Sequence, residues 1–199
     1  GNANDVSGTG NHGTLIGGAV LAPDRCGNHN SAYSFNGTNS GIQMLFTGPT
    51  GTVSRSVSFW AKTSNTVINS PRSSFDYGAA LGAGDSYQIV WNYCGAGVGL
   101  DVSNQALIRG NNCLLNNAWH HIVAVYNSSL SNVYSTVIYY IDGVAQPVIS
   151  CNVSGTGATI NTGTVFPISI GKNGTGASRY FNGVLDDFYL YNRPLTPAE

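Results

Sequence analysis

The chain has 199 residues, 42% of them hydrophobic, enough for one domain with a substantial core. Only 9% are charged and the formal net charge is −1, so there is no basic stripe for nucleic acid or an anionic membrane surface. Solubility rests on Asn, Ser, Thr and 26 Gly, a composition that suits a secreted or cell-surface all-β protein better than a cytosolic enzyme.

No signal peptide or membrane span is read, so membrane insertion is not expected, and the start at Gly1 suggests a mature form or an excised piece. Helix signals are scarce because Gly or Pro interrupts nearly every window of a dozen residues. Runs rich in β-branched and aromatic residues instead predict strands at 31–35, 42–46, 56–63, 75–81, 87–92, 119–127, 136–141, 145–149, 166–170 and 180–191. Turn pairs such as Asn36-Gly37, Asp142-Gly143 and Asn182-Gly183 lie between them, and Asp142-Gly143 reads as a tight hairpin. Ten or more short strands at this spacing predict a two-sheet sandwich or barrel. No repeat, linker or composition shift divides the chain, so residues 1–199 read as one domain.

Four cysteines without metal-type spacing favour disulfides in this composition. The preferred pairs are Cys94 with Cys113 and Cys26 with Cys151; four free buried thiols are the alternative. Asn36, Asn127, Asn152 and Asn173 each head an Asn-x-Ser/Thr sequon, which matters only in a eukaryotic host.

Seven segments in order carry a resemblance: Asn4–Thr14, Ala32–Ser40, Ser56–Lys62, Trp119–Tyr126, Tyr140–Val144, Ile168–Gly171 and Leu185–Leu195. Together they resemble a laminin G-like domain of the concanavalin A-like lectin/glucanase superfamily. The resemblance implies a jelly roll of two antiparallel sheets, usually secreted and often appended to enzymes or adhesins. Members normally begin with an apolar strand that this chain lacks. The vacant position would be filled by another segment or by a neighbouring copy, unless the domain was simply cut from a longer sequence.

The family often carries calcium between its N-terminal loop and last strand, and Asp5 and Asp186 match its acidic positions. Asn36, at a strand end, completes the expected oxygen set for a structural Ca2+. Alternation places Asp186 on the face of Val184, Phe188 and Leu190, where a carboxylate needs a cation or hydrogen bonds. The alternative is that Asp5 caps an Asx turn and Asp186 accepts backbone amides.

Catalysis is argued against. The only glutamate is Glu199, Asp186 and Asp187 should face opposite ways, and Asp76, Asp85, Asp101 and Asp142 read as single turn residues. His120 and His121 read as satisfied strand histidines. Tyr87, Trp91 and Tyr93 share a strand face, forming either a sugar-stacking platform with Arg109 and Asn111 nearby or one more inward face. Trp60 and Trp119 read as packing residues. The expectation is a non-catalytic extracellular recognition domain that binds a glycan or glycoprotein. The alternative is a structural or cell-adhesion module exchanging strands with copies of itself.

Overall fold

A computed structural model describes residues 2–64, 70–79, 82, 84–92, 97–103, 106–109, 114–150, 159–174 and 179–199, with backbone alone at 106–109 and 148–150. Fifteen strands run β1 (Gly13–Ile16), β2 (Val20–Ala22), β3 (Ala32–Asn36), β4 (Gly41–Met44), β5 (Arg55–Lys62), β6 (Arg72–Gly78), β7 (Ser86–Trp91), β8 (Val98–Asp101), β9 (Ala106–Arg109), β10 (Trp119–Tyr126), β11 (Ile138–Ile141), β12 (Val144–Ala145), β13 (Val148–Ser150), β14 (Phe166–Ile170) and β15 (Asn182–Tyr191). One 3-10 turn, Tyr134–Thr136, is the sole helical element among the described residues.

The strands form two antiparallel sheets, as expected for a concanavalin A-like jelly roll. One has eight strands in the order β1-β4-β14-β6-β7-β8-β9-β13, the other seven in the order β12-β11-β10-β5-β15-β3-β2. Alternation supplies the core between them. Val57, Phe59, Ala61, Ile122, Ala124, Tyr126 and Leu185 from the seven-stranded sheet meet Phe75, Tyr77, Tyr87, Ile89, Trp91, Val98 and Leu100 from the other. Asp142 and Gly143, at φ 52° and 78°, make the tight hairpin between β11 and β12. Asn182-Gly183 proves not to be a turn; it opens β15, pairing with Asn36 and Phe35.

One buried cation crosses this interior. Arg55 is fully buried, and its guanidinium donates to the carbonyls of Pro49, Gly51 and Val53, to the Tyr77 hydroxyl and to Thr162 Oγ1. The rings of Tyr77, Tyr87 and Tyr126 lie 5.3–5.9 Å from its Cζ. Hydrogen-bond acceptors and π faces thus replace a carboxylate as its compensation.

A bulge changes the expected parity of the last strand. Leu185 pairs with Ala61 and Asp186 with Trp60, but the register shifts before Tyr189 meets Ser58. The extra residue is Asp187, at φ 44°. Leu185, Phe188 and Leu190 therefore pack toward the core, while Asp186 shares the outer face with Trp60, Tyr189 and Tyr191. The expected grouping of Asp186 with Phe188 and Leu190 is corrected accordingly.

Candidate site on the outer face of the eight-stranded sheet

The inward residues of β6, β7 and β8 are apolar, so their alternate residues must point away from the core. Register aligns these across five strands: Gln43 is opposite Ser169, Ser169 opposite Asp76, Asp76 opposite Gln88, and Gln88 opposite Asp101. Directly opposed residues in antiparallel strands hold their Cβ atoms about 5 Å apart. The result is a continuous polar row. Asp76 and Asp101 are strand residues of one face, not the isolated turn residues that the sequence suggested.

This outer face is not open to water. Asp76, Gln88 and Asp101 are each 4% exposed and Ser169 is fully buried. Residues 171–174 and 179–181 lie across them. Gly171 N–H bonds Ser74 O, Phe181 N–H bonds Gly171 O, and Ser73 N–H bonds Arg179 O. At Gly171, φ is 76° and any Cβ would sit 2.2 Å from the Phe35 ring, so only glycine fits. Phe181 anchors the far end in the core, 5.5 Å from the Trp91 ring.

These anchors set two cations above the row. Arg179 Nη1 donates to Asp101 Oδ2 at 2.6 Å and also to Gln88 Oε1. Lys172 Nζ donates to Gln43 Oε1 at 3.1 Å. Asp76 Oδ2 accepts Gly174 N–H at 2.6 Å. Burial pushes the Asp76 carboxyl up to about 7, with the Asp101 charge adding to the effect. Burial also raises Asp101, against the pull of Arg179. Ser169 Oγ and Asp101 Oδ1 have no hydrogen-bond partner among the described residues. Half-exposed Gln43, Lys172 and Arg179 form the rim that reaches the surface. Acceptors and donors side by side suit groups that are both, as hydroxyls are.

Of the residues expected to form a stacking platform, Tyr87 and Trp91 lie elsewhere. Tyr87 and Trp91 are 0% and 1% exposed and belong to the core, so the inward-face alternative holds for them. Arg109 pairs in β9 with Val98 and Val148, while Tyr93 and Asn111 fall outside the described residues.

The expected calcium ligands are held in three separate networks. Asp5 accepts the N–H groups of Ser7 and Asn11 and the hydroxyl of Thr9, donors that hold its carboxyl well below the usual range. Asn36 Oδ1 receives Thr38, Asn39 and Ser40 N–H with the Thr38 and Ser40 hydroxyls. Asp186 faces Arg25. Oxygens already filled by protein donors do not fit a shared calcium site. Among the described residues, no three His, Cys, Asp or Glu side chains are grouped to hold a metal. Cys26 is an exposed free thiol, which corrects its expected pairing with Cys151; Cys94, Cys113 and Cys151 lie outside the described residues.

A second cluster sits on the outer face of the seven-stranded sheet. Arg25 Cζ lies 4.8 Å from the Trp60 ring centroid, and His121 stacks on Trp60 at 5.0 Å. The bulge aims both Asp186 and Asp187 at Arg25, against the expectation that adjacent strand residues diverge. His121 Nε2 meets Ser58 Oγ at 2.8 Å, and burial lowers its pKa. His120 bridges Asp142 and Asn116. Both histidines are satisfied, as the sequence suggested. Trp60 is half-buried and its ring contacts both Arg25 and His121, which ties the 24–28 turn to the sheet.

The laminin G pattern of the concanavalin A-like lectin/glucanases superfamily matches residues 29–199, and the chain belongs to that superfamily. No curated protein matches the sequence. Among solved structures it is similar to domain 4 of the extracellular arabinanase AbnA from Geobacillus stearothermophilus, solved with arabinotriose. The two share 20% identity and a TM-score of 0.70, over 99% of this chain and 90% of that one. The CBM40 of the Ruminococcus gnavus IT-sialidase gives 12%, 0.61, 84% and 93% by the same measures. The binding domain of Paraclostridial Mosquitocidal Protein 1 gives 16% and 0.67 over 98% of this chain, which spans 47% of that one. At these identities the likeness establishes the fold.

Proposed function

We propose that this concanavalin A-like domain is a non-catalytic extracellular module that binds carbohydrate on the outer face of its eight-stranded sheet. One observation carries the reading. Arg179 is fixed by Asp101 and Gln88 above a buried polar row, beside Lys172 and Gln43, with two acceptor oxygens left over. Burying so many polar groups on a sheet face is costly unless they orient something. The arabinotriose bound to AbnA domain 4 supports a glycan as that something.

The buried row positions the rim, and the rim meets the ligand. Asp101 and Gln88 hold the guanidinium in one orientation, Asp76 holds the backbone beside Lys172, and Gln43 receives the ammonium. Nothing here resembles a nucleophile poised at an open cleft, since both carboxyls are covered. The protein donors already on Asp5 and Asn36 argue against calcium there, so binding should persist in chelator.

A glycan-array screen of the folded chain, with calcium and with chelator, tests the reading. Selective binding that Gln43→Ala weakens at least several-fold supports it. Silence in both conditions, from protein shown to be folded, would sink it and favour the structural or adhesive module.

A further inference from the structure

Resting on that reading, we infer that the site takes neutral oligosaccharides through their hydroxyls and discriminates against acidic sugars such as uronates and sialates. A sugar carboxylate is best held by a guanidinium with free donors, usually as a bidentate pair. Arg179 is not in that state. Its Nη1 is shared between Asp101 Oδ2 and Gln88 Oε1, so its charge is already met by a carboxylate.

The layer beneath points the same way. Asp101 stands in the covered row beside Gln88, 4% exposed and not screened by solvent. Charges interact more strongly in so dry a setting than at an exposed surface. An incoming carboxylate over Arg179 would face the Asp101 charge directly. A hydroxyl avoids that cost, since it carries no charge and still accepts from a cation.

Lys172 is the cation of this rim without a carboxylate among the described residues, and Gln43 already engages it. One ammonium held by an amide oxygen is a weak match for a planar acid. It serves a hydroxyl equally well.

Titration calorimetry of the full chain with neutral oligosaccharides and their uronic-acid counterparts tests the inference, using galactotriose against trigalacturonate and the sugars found on the array. Neutral members should bind at least tenfold more tightly than acidic ones. Asp101→Asn keeps an oxygen for Arg179 but removes the charge, so it should narrow that neutral-to-acidic ratio several-fold, whatever it does to neutral affinity. Should Asp101→Asn not fold, Arg179→Gln leaves the Asp101 charge unmet and should widen the ratio instead. Preference of the wild-type chain for acidic sugars would overturn the inference and leave the binding reading intact. Unchanged discrimination in the folded variants would overturn its electrostatic basis. Binding to no glycan at all would overturn the underlying reading and this inference with it.

Discussion

Both sheets obey the same alternation, yet their outer faces have different fates. On the eight-stranded sheet the outer row is covered, with Gly174 and Arg179 bonded onto it, so Asp76, Gln88 and Asp101 are as buried as the core. On the seven-stranded sheet the outer face is only partly covered: Asp186 is 8% exposed, but Arg25, Asp187 and Tyr189 remain partly exposed around Trp60. Similar chemistry, an arginine between two aspartates' neighbourhoods, therefore carries different energies. A charge pair in a covered row is expensive to break; a pair at the surface is screened and cheap. Outer position in a sheet does not by itself mean surface.

The sharpest contrast is with the interior itself. Trp91→Ala should cost about 3–5 kcal/mol in urea unfolding, the usual range for deleting a buried aromatic. A loss under about 1 kcal/mol would return Trp91 to the surface and revive the stacking platform. Arg179→Ala comes next. It leaves Asp101 buried without its cation, and with the guanidinium itself 28% exposed the expected loss is about 2 kcal/mol. Equal effects from Arg179→Ala and Arg25→Ala would erase the proposed difference between the faces.

How far the sequence reveals these faces follows from what is local. The hairpin at Asp142-Gly143 is legible because two consecutive residues must adopt positive φ, and the long aromatic runs announce β5, β7, β10 and β15. Short edge or Gly-bearing strands such as β1, β2 and β8 are not, since three or four residues carry too little alternation to separate them from loops. The bulge at Asp187 inserts one residue without any composition signal, and it reverses the parity read for Asp186. The polar row is invisible for a different reason. Asp76 and Asp101 become neighbours only through the register of β7, a long-range property that no local pattern contains. Trp91 could be placed on a face, but nothing local tells which face is inside.

The covered row should also show in the pH dependence of stability. The folded-state pKa of Asp76 is raised from 3.8 to about 7, so the native chain holds that proton more tightly than the unfolded one. Its contribution is therefore most favourable in acid and declines as pH rises from about 4 to 7. Asp5 and Glu199 act oppositely and lower down, since hydrogen bonds depress both; their contributions are lost as pH falls below about 4. Asp76→Asn should flatten the decline between pH 4 and 7 and leave the acid limb untouched. A decline of unchanged slope in the variant would show that Asp76 is already ionised in the native chain.

The smallest expected effect belongs to the exposed face. Arg25→Ala removes one cation–π contact, a screened pair with Asp187 and a longer pair with the covered Asp186, for a loss of about 1 kcal/mol. It should also diminish with added salt, because the Asp187 partner is 41% exposed whereas the Asp101 partner of Arg179 is 5% exposed. Measuring both arginine variants at low and high salt thus separates the faces by screening as well as by size. If Arg25→Ala proved insensitive to salt and as costly as Arg179→Ala, the clamp over Trp60 would be as dry as the covered row, and exposure would have misjudged it.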